Sequence, residues 1–137
     1  MSYLVDTSVV SEVVRSKPDA RVLRWLTGVP DSALHLSVLT LGELRCGIEA
    51  LRASPRKERL RLWLEQELPG WFEDRLLPVT GPVADRWGRL VAEAGRSVPA
   101  IDSLLAATAL VHGLRLVTRN TKDFNFSKLE LLNPWEG

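Results

Sequence analysis

Short apolar runs alternate with segments of helical spacing along the whole chain, and this alternation leaves few folds open. Tyr3-Leu4-Val5 is the first run. It ends in Asp6-Thr7-Ser8, which reads as a buried strand turning into a helix, and Val9, Val10, Val13 and Val14 then recur at helical spacing. Asp19 to Thr27 predicts a second short helix, with Val22, Leu23 and Leu26 on one face and Gly28 as its stop. Leu34 to Leu39 predicts a second strand. Thr40-Leu41-Gly42-Glu43 has the Thr-x-x-Glu spacing of a capping box, which would open a helix through about Leu51. Ser54-Pro55 predicts the start of another, running to about Leu68. Leu76 to Val79 is a third strand, and Pro78, which cannot donate to a ladder, either weakens it or puts it at a sheet edge. Pro82 and Pro99 open two further helices, through about Gly95 and His112, with Gly113 as a left-handed cap. Leu114 to Thr118 is a fourth strand, and Leu129 to Leu132 a fifth candidate.

Strands alternating with helices mean an α/β fold, with a short, mostly parallel central sheet flanked by helices. The strands are apolar on both faces, as buried parallel strands are. No internal repeat or Gly/Ser linker divides the sequence, so residues 1–137 read as one domain. A hydrophobic fraction of 45% and a charged fraction of 26% suit a globular core and argue against long disorder. With 18 basic and 17 acidic residues, the net charge of +1 excludes a polycation or an acidic tail protein. Nucleic acid binding would need only a local basic patch. Cys46 is the single cysteine, so neither an internal disulfide nor a multi-thiolate zinc site can form. The first apolar run is too short for a secretory signal, and Leu104 to Val111 is too short to cross a membrane. Together these predict a soluble protein of the reducing cytoplasm.

Open α/β sheets place ligands at the carboxyl ends of their strands. Four acids fall there: Asp6 ends the first strand, Glu43 opens the helix after the second, Asp102 lies in the first turns of the helix before the fourth, and Asp123 follows the fourth. Each has a local explanation. Asp6 can N-cap a helix, Glu43 can complete the capping box, Asp102 can face a helix dipole and Asp123 can close a turn. Gathered in one cleft, however, each pair at ~5 Å would repel by about 3 kcal/mol at an effective dielectric of 20. Such a cluster either raises its pKa values or holds cations. Oxygen ligands suit Mg²⁺ and Mn²⁺, which can generate hydroxide and steady the oxygens on phosphorus. Converging, the acids point to metal-assisted phosphodiester hydrolysis.

Tyr3-Leu4-Val5-Asp6-Thr7-Ser8, Leu39-Thr40-Leu41-Gly42-Glu43-Leu44, Ile101-Asp102-Ser103-Leu104-Leu105-Ala106-Ala107-Thr108-Ala109 and Val117-Thr118-Arg119-Asn120-Thr121-Lys122-Asp123-Phe124 follow one another along the chain, closed by Leu131-Leu132-Asn133-Pro134-Trp135. In these pieces and their order the chain resembles PIN domains, and among them the VapC-like toxins of toxin–antitoxin pairs. The resemblance implies a Mg²⁺- or Mn²⁺-dependent endoribonuclease with Asp6, Glu43, Asp102 and Asp123 as its catalytic acids. Asp6 and Asp102 would be the central metal ligands, Thr7 or Ser8 a supporting hydroxyl and Asn120 a polar orienter. It also implies a cognate antitoxin whose tail occupies a groove of the toxin, a homodimer, and contact with operator DNA through the antitoxin alone.

The run from Arg52 to Arg61 is net positive and reads as a solvated helix face or a phosphate-contacting flank. Arg52, Arg56 and Lys57 of this run, with Arg119 and Lys122 beside Asp123, are the candidate RNA contacts. Trp25, Trp63, Trp71, Trp87 and Trp135 read mainly as core or interface, with Trp63, Trp71 and Phe72 as candidates for antitoxin or dimer contact. His35 and His112 lack a partner motif, and Cys46 reads as a buried small residue in an amphipathic helix. Two other readings keep the scaffold: a Mg²⁺-binding receiver-like module, and a non-catalytic antitoxin-binding regulator. Asp6-Thr7-Ser8 lacks the Asp-x-Asp of a haloacid-dehalogenase-type phosphatase.

Overall fold

A computed structural model describes residues 1–137. In chain order its regular elements are β1 (Tyr3–Val5), α1 (Thr7–Glu12), α2 (Ala20–Gly28), β2 (Leu34–Ser37), α3 (Val38–Glu49), α4 (Pro55–Leu62), α5 (Leu68–Phe72), β3 (Leu76–Leu77), α6 (Gly81–Ala94), α7 (Ala100–His112), β4 (Arg115–Val117) and β5 (Leu131–Leu132). Short 3₁₀ turns cover Thr121–Phe124 and Pro134–Glu136. The strands form one sheet in the order β3-β2-β1-β4-β5, and every neighbouring pair is parallel. This agrees with the α/β reading. Strand order reverses between β1 and β4, and a crevice for ligands opens at such a point, outside the carboxyl ends of the strands.

Alternate side chains of a strand point to opposite faces, and here each face has its own core. Val5, Leu34, Leu36 and Val117 pack with Val9, Val10, Val22, Ile48, Leu68 and Phe72 from α1 to α5. Leu4 and Leu116, one residue earlier in β1 and β4, pack with Leu90 of α6 and with Leu105, Ala106 and Ala109 of α7. Fully burying a side chain such as Leu68 or Phe72 stabilises by roughly 1.5–3 kcal/mol. Both faces are therefore covered, as the apolar strands require.

Several element ends differ from the sequence expectation. α3 begins at Val38, capped by Ser37, whose Oγ accepts from Leu39 N at 3.1 Å. The Thr40–Glu43 capping box does not form, because Thr40 is already inside the helix and fully buried. The helix expected from Ser54 to Leu68 is interrupted. Trp63–Glu67 forms a π-turn in which the Leu68 N–H reaches back to Trp63 O. Pro69 lacks an N–H, so a regular ladder cannot pass through it, and the wider turn absorbs that break. β3 is cut to two residues ahead of Pro78 and lies at the sheet edge, as expected. Gly95 and Gly113 end α6 and α7 with φ of +63° and +64°, where a Cβ would be strained. Cys46 is exposed rather than buried. Phe72 is fully buried and so is not available for a partner, whereas Trp71 is half-buried.

Candidate active site

The carboxyl ends of β1 and β4 lie side by side, because Asp6 N donates to Val117 O at 2.9 Å. The next residue of each strand turns polar. Asp6 is 6% exposed and accepts three hydrogen bonds: from Thr7 N at 2.7 Å, Ser8 Oγ at 3.0 Å and Thr118 Oγ1 at 2.8 Å. It therefore caps α1, but its second oxygen is held by hydroxyls from two separate segments. Bonds to a charged acceptor contribute roughly 1.5–3 kcal/mol each, which compensates a carboxylate for losing water. Thr118 also accepts from Asn120 N at 3.1 Å, so one hydroxyl ties Asp6 to the loop that carries Asp123.

Glu43 lies in the second turn of α3, and its Oε1 accepts from Thr7 Oγ1 at 2.6 Å. With no capping box to serve, Glu43 faces the site through Thr7. Both hydroxyls after Asp6 are thus engaged, Thr7 on Glu43 and Ser8 on Asp6. Asp102 sits in the first turn of α7 and accepts no hydrogen bond. Its carboxyl is pushed up to about 6, first by burial and then by the charges of Asp6, Asp123 and Glu43. That dependence brings all four acids into one field. Asp123 is exposed on the Thr121–Phe124 turn, and the neighbouring Asn120 side chain is exposed and makes no hydrogen bond.

No three His, Cys, Asp or Glu side chains close on one point as a ready-made ligand cage. The donor set still fits a hard divalent cation. All donors are carboxylate oxygens, and Mg²⁺ often takes only one or two carboxylates, with water and substrate phosphate completing its shell. Sequence reasoning missed Thr118. Its signal was a hydroxyl directly after an apolar strand that neighbours β1 at the reversal of strand order.

The basic candidates divide. Lys57 Nζ donates to Glu49 O at 3.2 Å and Leu51 O at 3.0 Å, so it closes the end of α3 rather than reaching for phosphate. Arg61 of the same run pairs with Glu58 and Glu65. Arg52 and Arg56 are exposed and make no ion pair, and Lys122 is exposed beside Asp123. Arg119 lies over the Trp135 ring, 5.3 Å from its centroid. A groove of about 310 Å³ starts at Thr7 and Glu43 and runs over Leu44, Ile48 and Trp63 beneath Arg56. A cavity of about 400 Å³ continues it past Arg59 to Glu67.

The family model described as PIN domain matches residues 3–130. The toxin FitB of Neisseria gonorrhoeae is 36% identical over 135 residues, covering 96% of this chain and 97% of that protein. The VapC ribonuclease Y4jK of Sinorhizobium fredii is 35% identical over 136 residues, covering 97% of each. Among solved structures, FitAB bound to an IR36 DNA fragment contains a chain that superposes with a TM-score of 0.88 at 33% identity. The match covers 97% of this chain and 95% of that one.

Proposed function

This chain belongs to the PIN-domain family, among the VapC-like toxins, and on that premise we propose that it is a divalent-metal-dependent endoribonuclease restrained by a cognate antitoxin. The observation that carries the reading is the gathering of four carboxylates where strand order reverses, with Asp102 burdened by the charge of the other three.

Asp6 and Asp102 would hold Mg²⁺ or Mn²⁺. Such an ion supplies hydroxide at neutral pH and steadies the attacking and leaving oxygens on phosphorus. Around it the protein's own groups have defined tasks. Thr118 and Ser8 fix the Asp6 carboxylate by hydrogen bonds, and Thr7 aims Glu43. Glu43 would accept a proton from an attacking water or orient it. Asp123, exposed on its short turn, would act from the outer side and reach the ion through water.

The groove leading away from Thr7 and Glu43 is lined by apolar side chains and by Arg15, Arg56 and Arg59, which suits an antitoxin tail laid along α1, α3 and α4. FitB is named a toxin, and the DNA in the FitAB structure supports operator binding through the complex. Homodimer formation and a cytoplasmic place follow from the same reading, and no helix is long and apolar enough to cross a membrane.

The test is cleavage of a broad RNA pool by the purified chain, with Mg²⁺ or Mn²⁺ and with chelator, beside a folded Asp102→Asn control. Cleavage that needs both the metal and Asp102 is the expected result. Equal cleavage by the variant would defeat the reading.

A further inference from the structure

We infer that Arg119 is a phosphate-binding residue for the RNA strand, held at the rim of the acidic site by the ring of Trp135. This rests on reading the chain as a ribonuclease.

Arg119 follows Thr118 directly, and its main chain is fixed to the site from two sides. Its N–H donates to Ser8 Oγ at 3.3 Å, and Ser8 in turn donates to Asp6 Oδ2 at 3.0 Å. Its carbonyl accepts from Asn133 Nδ2 at 3.4 Å, while Asn133 Oδ1 accepts from Trp135 N at 2.9 Å. The closing 3₁₀ turn therefore ties the Arg119 backbone and the Trp135 ring together. Trp135 is 6% exposed and anchored in the larger core, so the ring is a fixed platform.

The side chain, on the residue directly after Thr118, pairs with no carboxylate. Arg45, Arg61 and Arg89 each close an ion pair with an acid, but Arg119 makes neither an ion pair nor a guanidinium hydrogen bond. Its guanidinium instead lies over the indole, 5.3 Å from the ring centroid, close enough for the ring to attract a cation. Held there, it leaves the acids free for metal and keeps its own donors unspent. A guanidinium stacked on one face still presents its N–H edge, which matches two phosphate oxygens at once. An RNA strand approaching four carboxylates meets repulsion, and a positive edge at their rim offsets it. Arg119 is exposed, as such contact requires.

The experiment uses the full chain carrying Asp102→Asn, which binds without cutting, and a fluorescein-labelled single-stranded RNA of mixed sequence. Anisotropy gives the binding constant across a potassium chloride series, and circular dichroism checks each fold. Adding Arg119→Ala is expected to weaken binding several-fold. It should also make the slope of log K against log salt shallower by about 0.7, the contribution of one phosphate contact on a single strand. Arg119→Lys keeps the charge and should keep the slope while losing affinity, because the ammonium neither stacks nor forks. Trp135→Phe retains an aromatic face and should retain both. An Arg119→Ala slope equal to the parent's would overturn the assignment while leaving the ribonuclease reading standing. Failure of the parent itself to bind RNA at low salt would overturn both.

Discussion

The two halves of the acidic site are built in opposite ways. Asp6 and Glu43 are held by hydroxyls: Ser8 and Thr118 on one, Thr7 on the other. Asp102 and Asp123 accept nothing from the protein, and Asp102 carries the repulsion of all its neighbours. The first half is satisfied without a ligand and serves as the fixed frame. In the second, Asp102 is held under the charge of its neighbours. On the proposed reading, a bound cation would relieve that repulsion.

Replacing either half should abolish cleavage but separate in stability. Asp6→Ala and Asp102→Ala should each lower RNA cleavage by more than the roughly 10–100-fold that follows loss of a group behind a metal ligand. In urea denaturation Asp6→Ala should lose about 1–3 kcal/mol, since Thr118 Oγ1 is left buried without an acceptor and α1 loses its cap at Thr7 N. Asp102→Ala should lose nothing, and a loss equal to that of Asp6→Ala would erase the contrast. Thr118→Val tests the frame without touching an acid. It removes the hydroxyl and should reduce turnover about 10–100-fold while the rest of the fold is preserved.

The strained half should respond to cations. Mg²⁺ or Mn²⁺ at a hundred times its dissociation constant should stabilise the protein by about 2.7 kcal/mol, read as a rise in Tm. Asp102→Asn should abolish that rise, and chelator should reverse it in the parent. The smallest effect is on pH. The Asp102 carboxyl sits at about 6 when folded against an ordinary 3.8, so between these values the folded state binds more protons than the unfolded. Stability of the metal-free protein should therefore fall as pH rises from about 4 to 6 and level off above. Asp102 is only partly buried, and solvent screening keeps the change to about 1 kcal/mol. Asp102→Asn should flatten that slope.

Much of this contrast was legible in the sequence, because the strand ends and the acids after them are local features. Asp6, Glu43, Asp102 and Asp123 could be placed on one edge from the alternation of elements alone. The sequence misled where two local rules competed. The Thr40–Glu43 spacing predicted the start of α3 in the wrong place, because burial of Thr40, a property of the folded chain, leaves the cap to Ser37. The π-turn did have a local cause in Pro69, which cannot continue the ladder, but the helical spacing through Leu68 masked it. Lys57 looked like a surface cation until the end of α3 folded back beneath it. Thr118 escaped notice because its partner, Asp6, lies at the far end of the sequence.

That last bond has a consequence in time. It joins residues 112 positions apart, and β1 pairs with β4 only after every helix between them has been made. A growing chain emerges from its N-terminus at about 5–20 residues per second, so Asp6 waits on the order of ten seconds for its partner to leave the ribosome. Throughout that interval the frame of the cleft is missing one wall. The acidic edge is among the last parts of the protein to form.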